Sequence, residues 1–177
     1  MIVYMKYILF MTLTTHAVVG ATIASVMPNH PLLGFALAFM SHFLLDAIPH
    51  WDYALSSQKT DKSNRMNDDI IINRSFFTDL TKIGLDVLCG VLLVLFFFTL
   101  YGPHLLWLPL VGVAGAILPD ALQFAYWKYR HQPLTSLQRF HIWVHAKKDF
   151  NEKPTIGIPM QLAVIILSIY IFKVYFG

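Results

Sequence analysis

The sequence has little of what soluble and secreted proteins depend on. Charged residues make up only 13% of its 177 residues, about half the share found in an average soluble domain. It contains a single cysteine, Cys89, which excludes a framework of disulfides within the chain. Apolar residues dominate instead, because 56% of the chain is hydrophobic and its mean hydropathy is +0.57. This composition indicates a membrane protein.

The apolar residues are grouped in five runs, each long enough to enter or cross a bilayer. The polar segment 50–77 separates the second run from the third, and the polar segment 128–155 separates the fourth from the fifth. We therefore predict an all-α fold, a polytopic membrane helix bundle that forms one domain over residues 1–177. We predict one interfacial helix and about five transmembrane helices, the latter at 7–27, 32–49, 78–101, 104–127 and 156–176.

The basic residues are distributed unevenly across the predicted bilayer. With the N-terminus in the cytoplasm, twelve of the 13 Lys and Arg residues, all except Lys173, lie on the cytoplasmic side. By the positive-inside rule, this predicts an integral protein of a bacterial-type plasma or inner membrane whose polar segments are cytoplasmic. The basic residues flank apolar runs, so they indicate contact with membrane lipid and not nucleic-acid binding.

The N-terminus permits a second interpretation, a cleaved signal peptide with Lys6 in its charged region and a cleavage site near residues 20–25. However, the apolar run continues past that site. It also contains His16, which a signal sequence does not need. We therefore favour a retained first helix.

Residues 40–52, with the sequence MSHFLLDAIPHWD, place ionisable groups in an apolar setting. His42, Asp46 and His50 recur every four residues, so on a helix they line one face up to the break at Pro49. Asp52 follows directly. Such groups at the end of an apolar run need compensation by a metal ion, a proton relay or mutual hydrogen bonding.

Other predicted helices bring ionisable residues to a similar depth, at 1.5 Å per residue. His16 lies in the first helix, Asp86 near the cytoplasmic start of the third, and Asp120 toward the cytoplasmic end of the fourth. Each intramembrane carboxylate costs about 2.5–3.5 kcal/mol on insertion, and Asp46 and Asp120 have no basic partner within their own spans. A divalent metal would offset this cost, and zinc takes both nitrogen and oxygen ligands.

The predicted interfacial helix lies within the second polar segment, where basic residues suit the headgroup boundary. It carries His141 and His145. Their i, i+4 spacing lets two imidazoles reach one metal ion. We interpret them as further metal ligands, in a lid or a second metal shell.

Three motifs contain six of these residues: THAVVGA (15–21), SHFLLDAIPHWD (41–52) and ILPD (117–120). They resemble motifs of the membrane-bound metal-dependent hydrolases, the YdjM-like inner-membrane proteins, which are distantly similar to zinc-dependent phospholipase C. In that family the LPD motif precedes the SH-x3-D motif, whereas here it follows. Motifs of this kind are taken to bind metal there. The resemblance implies metal-binding roles for His16, His42, Asp46 and Asp120.

The leading hypothesis is a metal-dependent hydrolase that faces the cytoplasm from within the membrane. A metal-activated water would attack an ester or phosphoester, with His50 or a carboxylate such as Asp52 as general base. A lipid-borne substrate is expected because the site would open into the inner leaflet. One or two zinc-like ions would be held by His16, His42, Asp46, Asp86 and Asp120.

Two alternatives use the same residues. A proton or metal-ion transporter would use the His and Asp side chains as a relay. Against this, the residues cluster in one leaflet, and no span has a polar stripe along its whole length. A non-catalytic membrane scaffold would use the polar cluster only to hold its helices together.

Overall fold

The computed structural model describes residues 12–102, 105–147 and 150–177. Six α-helices account for most of this chain, so the prediction of an all-α fold is confirmed. Between α2 and α3, a short 3-10 helix separates two antiparallel strands, β1 (Gln58–Lys59) and β2 (Asp69–Ile70). The helices are α1 (Leu13–Ser25), α2 (Pro31–Asp46), α3 (Arg74–Tyr101), α4 (Trp107–Tyr129), α5 (Leu134–Val144) and α6 (Pro154–Phe176).

Three of the described helices are long and apolar enough to cross a membrane: α3 with 28 residues, and α4 and α6 with 23 each. Their outer surfaces expose large apolar side chains, for example Leu85 on α3 and Ile166 on α6. α1 and α2 have 13 and 16 residues, fewer than the roughly 20 of a typical span. The predicted start of the first span and Lys6 lie outside the described residues.

Helix α1 is at the centre of the bundle and contacts α2, α3, α4 and α6. Eleven of its 13 residues are buried, and most of them are small, which lets neighbouring helices approach closely. A Cβ atom built on Gly20 would lie 2.5 Å from both the Ala116 Cβ and the Gly112 carbonyl oxygen on α4. Glycine at this position therefore lets α1 pack directly against α4, one helical turn from His16.

The polar segment between α2 and α3 is folded onto the bundle. Ser57 donates hydrogen bonds to the Asp79 carboxylate on α3 from its backbone N–H and its hydroxyl, each at 2.7 Å. The Tyr126 hydroxyl on α4 donates to the backbone carbonyl of Met66 at 2.9 Å. These bonds attach the segment to α3 near its start and to α4 near its end.

Gly20→Ala is expected to destabilise the fold by about 1–3 kcal/mol, because the added methyl group overlaps atoms of α4. The matched variant Gly84→Ala adds the same group to α3, where no other atom lies within 4 Å. It should stabilise the protein by about 0.5–1 kcal/mol through helix propensity. Apparent melting temperatures in detergent measure both effects. Equal shifts would contradict the close packing of α1 on α4.

Candidate metal centre

A group of ionisable side chains, the His/Asp cluster, lies where α1, α2, α4 and α5 meet. Its members come from these helices and from the segments that follow α2 and α5. Asp120 is the most accessible member, with a side chain that is 13% exposed, and every other member is at most 6% exposed. The cluster consists of His16, His42, Asp46, His50, Asp52, Asp120, His141 and His145.

The Asp46 carboxylate is in the middle of the cluster. Its Oδ1 lies 3.2 Å from Nε2 of His16. Its Oδ2 lies 3.2 Å from Nε2 of His42 and 2.8 Å from Nε2 of His141. His42 Nε2 is also 3.5 Å from Asp120 Oδ1. One carboxylate therefore contacts imidazoles from three helices, α1, α2 and α5.

Backbone carbonyls orient three of the imidazoles. Nδ1 of His42 donates to the carbonyl oxygen of Ala116 at 2.8 Å, and Nδ1 of His50 donates to that of Ile48 at 2.6 Å. His145 makes the same bond to the residue that follows it, at 3.2 Å. Because a carbonyl oxygen only accepts, Nδ1 carries a proton, and in the neutral imidazole Nε2 keeps a free lone pair. Metal-binding histidines are held in this way.

The segments that follow α2 and α5 run side by side and bring His50 next to His145. The N–H of Ala146 donates to the carbonyl oxygen of Asp46, and the N–H of Phe150 donates to that of His50, each at 2.8 Å. The ring centres of His50 and His145 lie 5.1 Å apart. Backbone pairing thus places two imidazoles together beside the Asp46 carboxylate.

Burial shifts the pKa of two groups in this part of the cluster, His145 and Asp52. It lowers the pKa of His145 to about 4, so near pH 7 the imidazole is neutral, the form that binds metal. Burial also raises the pKa of the Asp52 carboxyl well above its usual value. A cation among these groups would offset the desolvation and favour the carboxylate form.

Many atoms of the cluster have no hydrogen-bond partner within the described part of the chain. Two lone pairs cannot bond to each other, so those of these atoms that carry no hydrogen need a proton or a metal ion. A buried polar group left unsatisfied costs about 1–3 kcal/mol, and more when it is charged. The atoms are both ring nitrogens of His16, Nε2 of His42, His50 and His145, Oδ1 of Asp46 and Asp120, and both carboxylate oxygens of Asp52.

The ligand atoms form three overlapping groups, each with its atoms within 4.8 Å of one another. Asp46 belongs to two of them, so the arrangement fits either one ion or two ions that share this carboxylate. The imidazole nitrogens and carboxylate oxygens are ligands that suit zinc. The groups are His16, His42 and Asp46; His42, Asp120 and His141; and Asp46, His50 and His145.

Asp86, which we expected to be a metal ligand, lies outside these three groups and has other partners. Its carboxylate accepts hydrogen bonds from the N–H groups of Leu13 and Thr14, at 2.7 and 3.1 Å, and from the Thr14 hydroxyl at 2.6 Å. The Tyr53 hydroxyl donates to it at 3.2 Å. A carboxylate is favoured at the first turn of a helix. Asp86 therefore anchors the start of α1 to α3.

Some groups that shape the cluster have no signal in the sequence. The side chain of Asn151 accepts a hydrogen bond from the N–H of Asp52, 99 residues away. The side-chain amide of Gln161 on α6 donates to the backbone carbonyl of Trp51, 110 residues away. Such contacts depend on how distant segments cross, which residue spacing does not reveal.

No family model, curated protein or solved structure matches this chain. The resemblance to YdjM-like proteins therefore rests on the three motifs alone. Their residues His16, His42, Asp46 and Asp120 all lie in the His/Asp cluster.

Asp86→Ala should lower the free energy of unfolding by about 1–3 kcal/mol, because the first turn of α1 loses a charged acceptor. Asp86→Asn keeps one acceptor oxygen and should lose less. Elemental analysis should find the same metal content per folded protein in both variants as in the unsubstituted protein. A stable variant that had lost bound metal would instead make Asp86 a ligand.

Proposed function

We propose that this protein is a membrane-embedded, metal-dependent hydrolase that acts on a lipid-borne ester or phosphoester. The observation that supports this is the set of buried lone pairs in the His/Asp cluster. Within the described residues, the ion pairs of lysine and arginine involve Asp68, Asp69 and Asp79, none of which belongs to the cluster. No described lysine or arginine pairs with the cluster, which supports a metal ion in that role.

The helices supply most of the ligands for an ion. When bound, a zinc-like ion supplies an acidified water and polarises a substrate oxygen. His145, which is neutral near pH 7, lies beside Asp46 and is available to a second ion. The ligands on helices are His16, His42, Asp46, Asp120 and His141.

We assign the proton-handling role to His50 and Asp52. Asp52 Oδ2 lies 3.2 Å from His50 Nε2, and the carbonyl of Ile48 holds the opposite side of the imidazole. A proton taken from the attacking water can rest on this pair and then pass to the leaving group. Neither residue belongs to a helix, and each is held in place by backbone or amide hydrogen bonds.

The membrane arrangement is part of the proposal. α1 and α2 would complete a set of five membrane helices, with the N-terminus and both polar segments on the cytoplasmic side of an inner membrane. Helix α5 suits the interface, because Trp143 is 77% exposed whereas His141, two residues earlier, is buried. Tryptophan is enriched at the headgroup level of membranes, so the exposed Trp143 supports this position for α5.

His42→Ala and Asp46→Ala should each remove bound metal and hydrolase activity. Metal affinity should fall by more than about 100-fold, because even groups that only orient a ligand contribute 10–100-fold. The measurements are elemental analysis of purified protein, and hydrolysis of bis(p-nitrophenyl) phosphate and p-nitrophenyl esters. His30→Ala and His131→Ala, which remove exposed histidines, are matched controls and should keep both properties.

Full metal content in both cluster variants would contradict the proposal. A folded protein without stoichiometric metal would favour the scaffold hypothesis, because hydrogen bonds alone would then hold the cluster. Metal-dependent ion flux in proteoliposomes, without hydrolysis of any probe, would favour the transporter.

A further inference from the structure

A cavity of about 380 Å³ lies between α3 and α4, beside the His/Asp cluster. This volume is within the range of about 300–1,000 Å³ that is typical of small-molecule sites. Its wall on α3 consists of apolar residues spaced three or four apart, which places them on one helix face. These residues are Phe76, Leu80, Ile83 and Val87.

Asp120 connects this cavity to the His/Asp cluster. It is the one charged residue that lines the cavity within the described part of the chain. Its Oδ1 lies 3.5 Å from Nε2 of His42. It is also the most exposed member of the cluster, whereas Asp46 is only 1% exposed. A molecule in the cavity would therefore meet the candidate metal ligands at Asp120.

The rim of the cavity is apolar and accessible. Leu80 on α3 is 50% exposed and Phe124 on α4 is 37% exposed. Because α3 begins at Arg74, Leu80 lies roughly 9 Å along a helix that rises 1.5 Å per residue. With Arg74 among the headgroups, the rim is at the upper part of the hydrocarbon. A hydrocarbon chain could enter from the bilayer without crossing water.

Water is a poor occupant of such a cavity. A buried water needs two to four polar partners, and the lining side chains that carry oxygen or charge are those of Tyr53 and Asp120, together with the Trp127 indole. The Tyr53 hydroxyl already donates to Asp86. An apolar occupant matches the remaining surface, and a chain that comes from the bilayer exchanges one apolar environment for another.

We infer that this cavity binds one hydrocarbon chain of a membrane lipid, whose ester or phosphoester then lies at Asp120. The inference rests on the proposed hydrolase function and says where the hydrocarbon chain of the substrate binds. The polar group of the lipid would lie next to the His/Asp cluster, and its hydrocarbon chain would extend between α3 and α4. For a short-chain ester that enters from water, each methylene that enters the cavity should strengthen binding about fourfold.

The first test measures binding and needs no turnover. A dodecyl phosphate with a diazirine at the chain end would be photolysed in proteoliposomes, and the labelled residues identified by mass spectrometry. We expect label on the lining residues Ile83 and Phe124, reduced by excess unlabelled dodecyl phosphate. Label spread evenly over outward residues such as Leu85 and Ile166 would overturn the inference.

The second test fills the cavity. Ile83→Trp places an indole inside it, whereas the matched variant Leu85→Trp adds the same group to the outer face of α3. Because the indole would occupy the space of the chain, Ile83→Trp should abolish competition by dodecyl phosphate, and Leu85→Trp should not change it. Hydrolysis of a short-chain p-nitrophenyl ester should stay unchanged in the control variant Leu85→Trp.

The outcomes separate the two proposals. Specific label in the cavity without hydrolysis would support the lipid site and contradict the hydrolase. Metal-dependent hydrolysis whose kcat/KM does not depend on chain length, with equal competition in the two tryptophan variants, would keep the hydrolase and overturn the lipid site. An Ile83→Trp protein that fails to fold would leave the labelling pattern of the unsubstituted protein as the deciding measurement.

Discussion

The contact of one buried carboxylate with three imidazoles is the interaction on which the rest of the structure depends. Asp46 is 1% exposed and lies within 3.2 Å of nitrogens on His16, His42 and His141. Taking these groups out of water costs several kcal/mol per charge, and only close partners repay it. The helices α1, α2 and α5 must therefore hold their positions closely, because a lost contact would leave a buried group unpaired.

Small residues in the bundle make that placement possible. Gly20 lets α1 lie directly on α4, and the same stretch of α4 supplies the Ala116 carbonyl that orients His42 at 2.8 Å. At the start of α1, Asp86 satisfies two backbone N–H groups. Helix packing and ligand orientation thus both depend on Ala116. A substitution in this contact would disturb the cluster even where it touches no ligand.

Asp120 lies at the boundary between two environments. On one side is the His/Asp cluster, where several polar atoms have no hydrogen-bond partner among the described residues, and on the other is an apolar cavity lined by α3 and α4. A membrane lipid has the same division, with a polar ester next to a hydrocarbon chain. Under the proposed function, chemistry and substrate recognition would be properties of one site, and the bilayer would deliver the substrate.

The sequence alone determined the helical character of the chain, because long apolar runs leave the backbone no other way to satisfy its polar groups in lipid. It also identified the residues of the cluster, since His42 and Asp46 are one turn apart in apolar surroundings. Depth along a helix did not distinguish Asp86 from Asp120, because depth does not say which neighbour a side chain faces. The tertiary structure decided which neighbour each carboxylate faces, through contacts between segments distant in the chain.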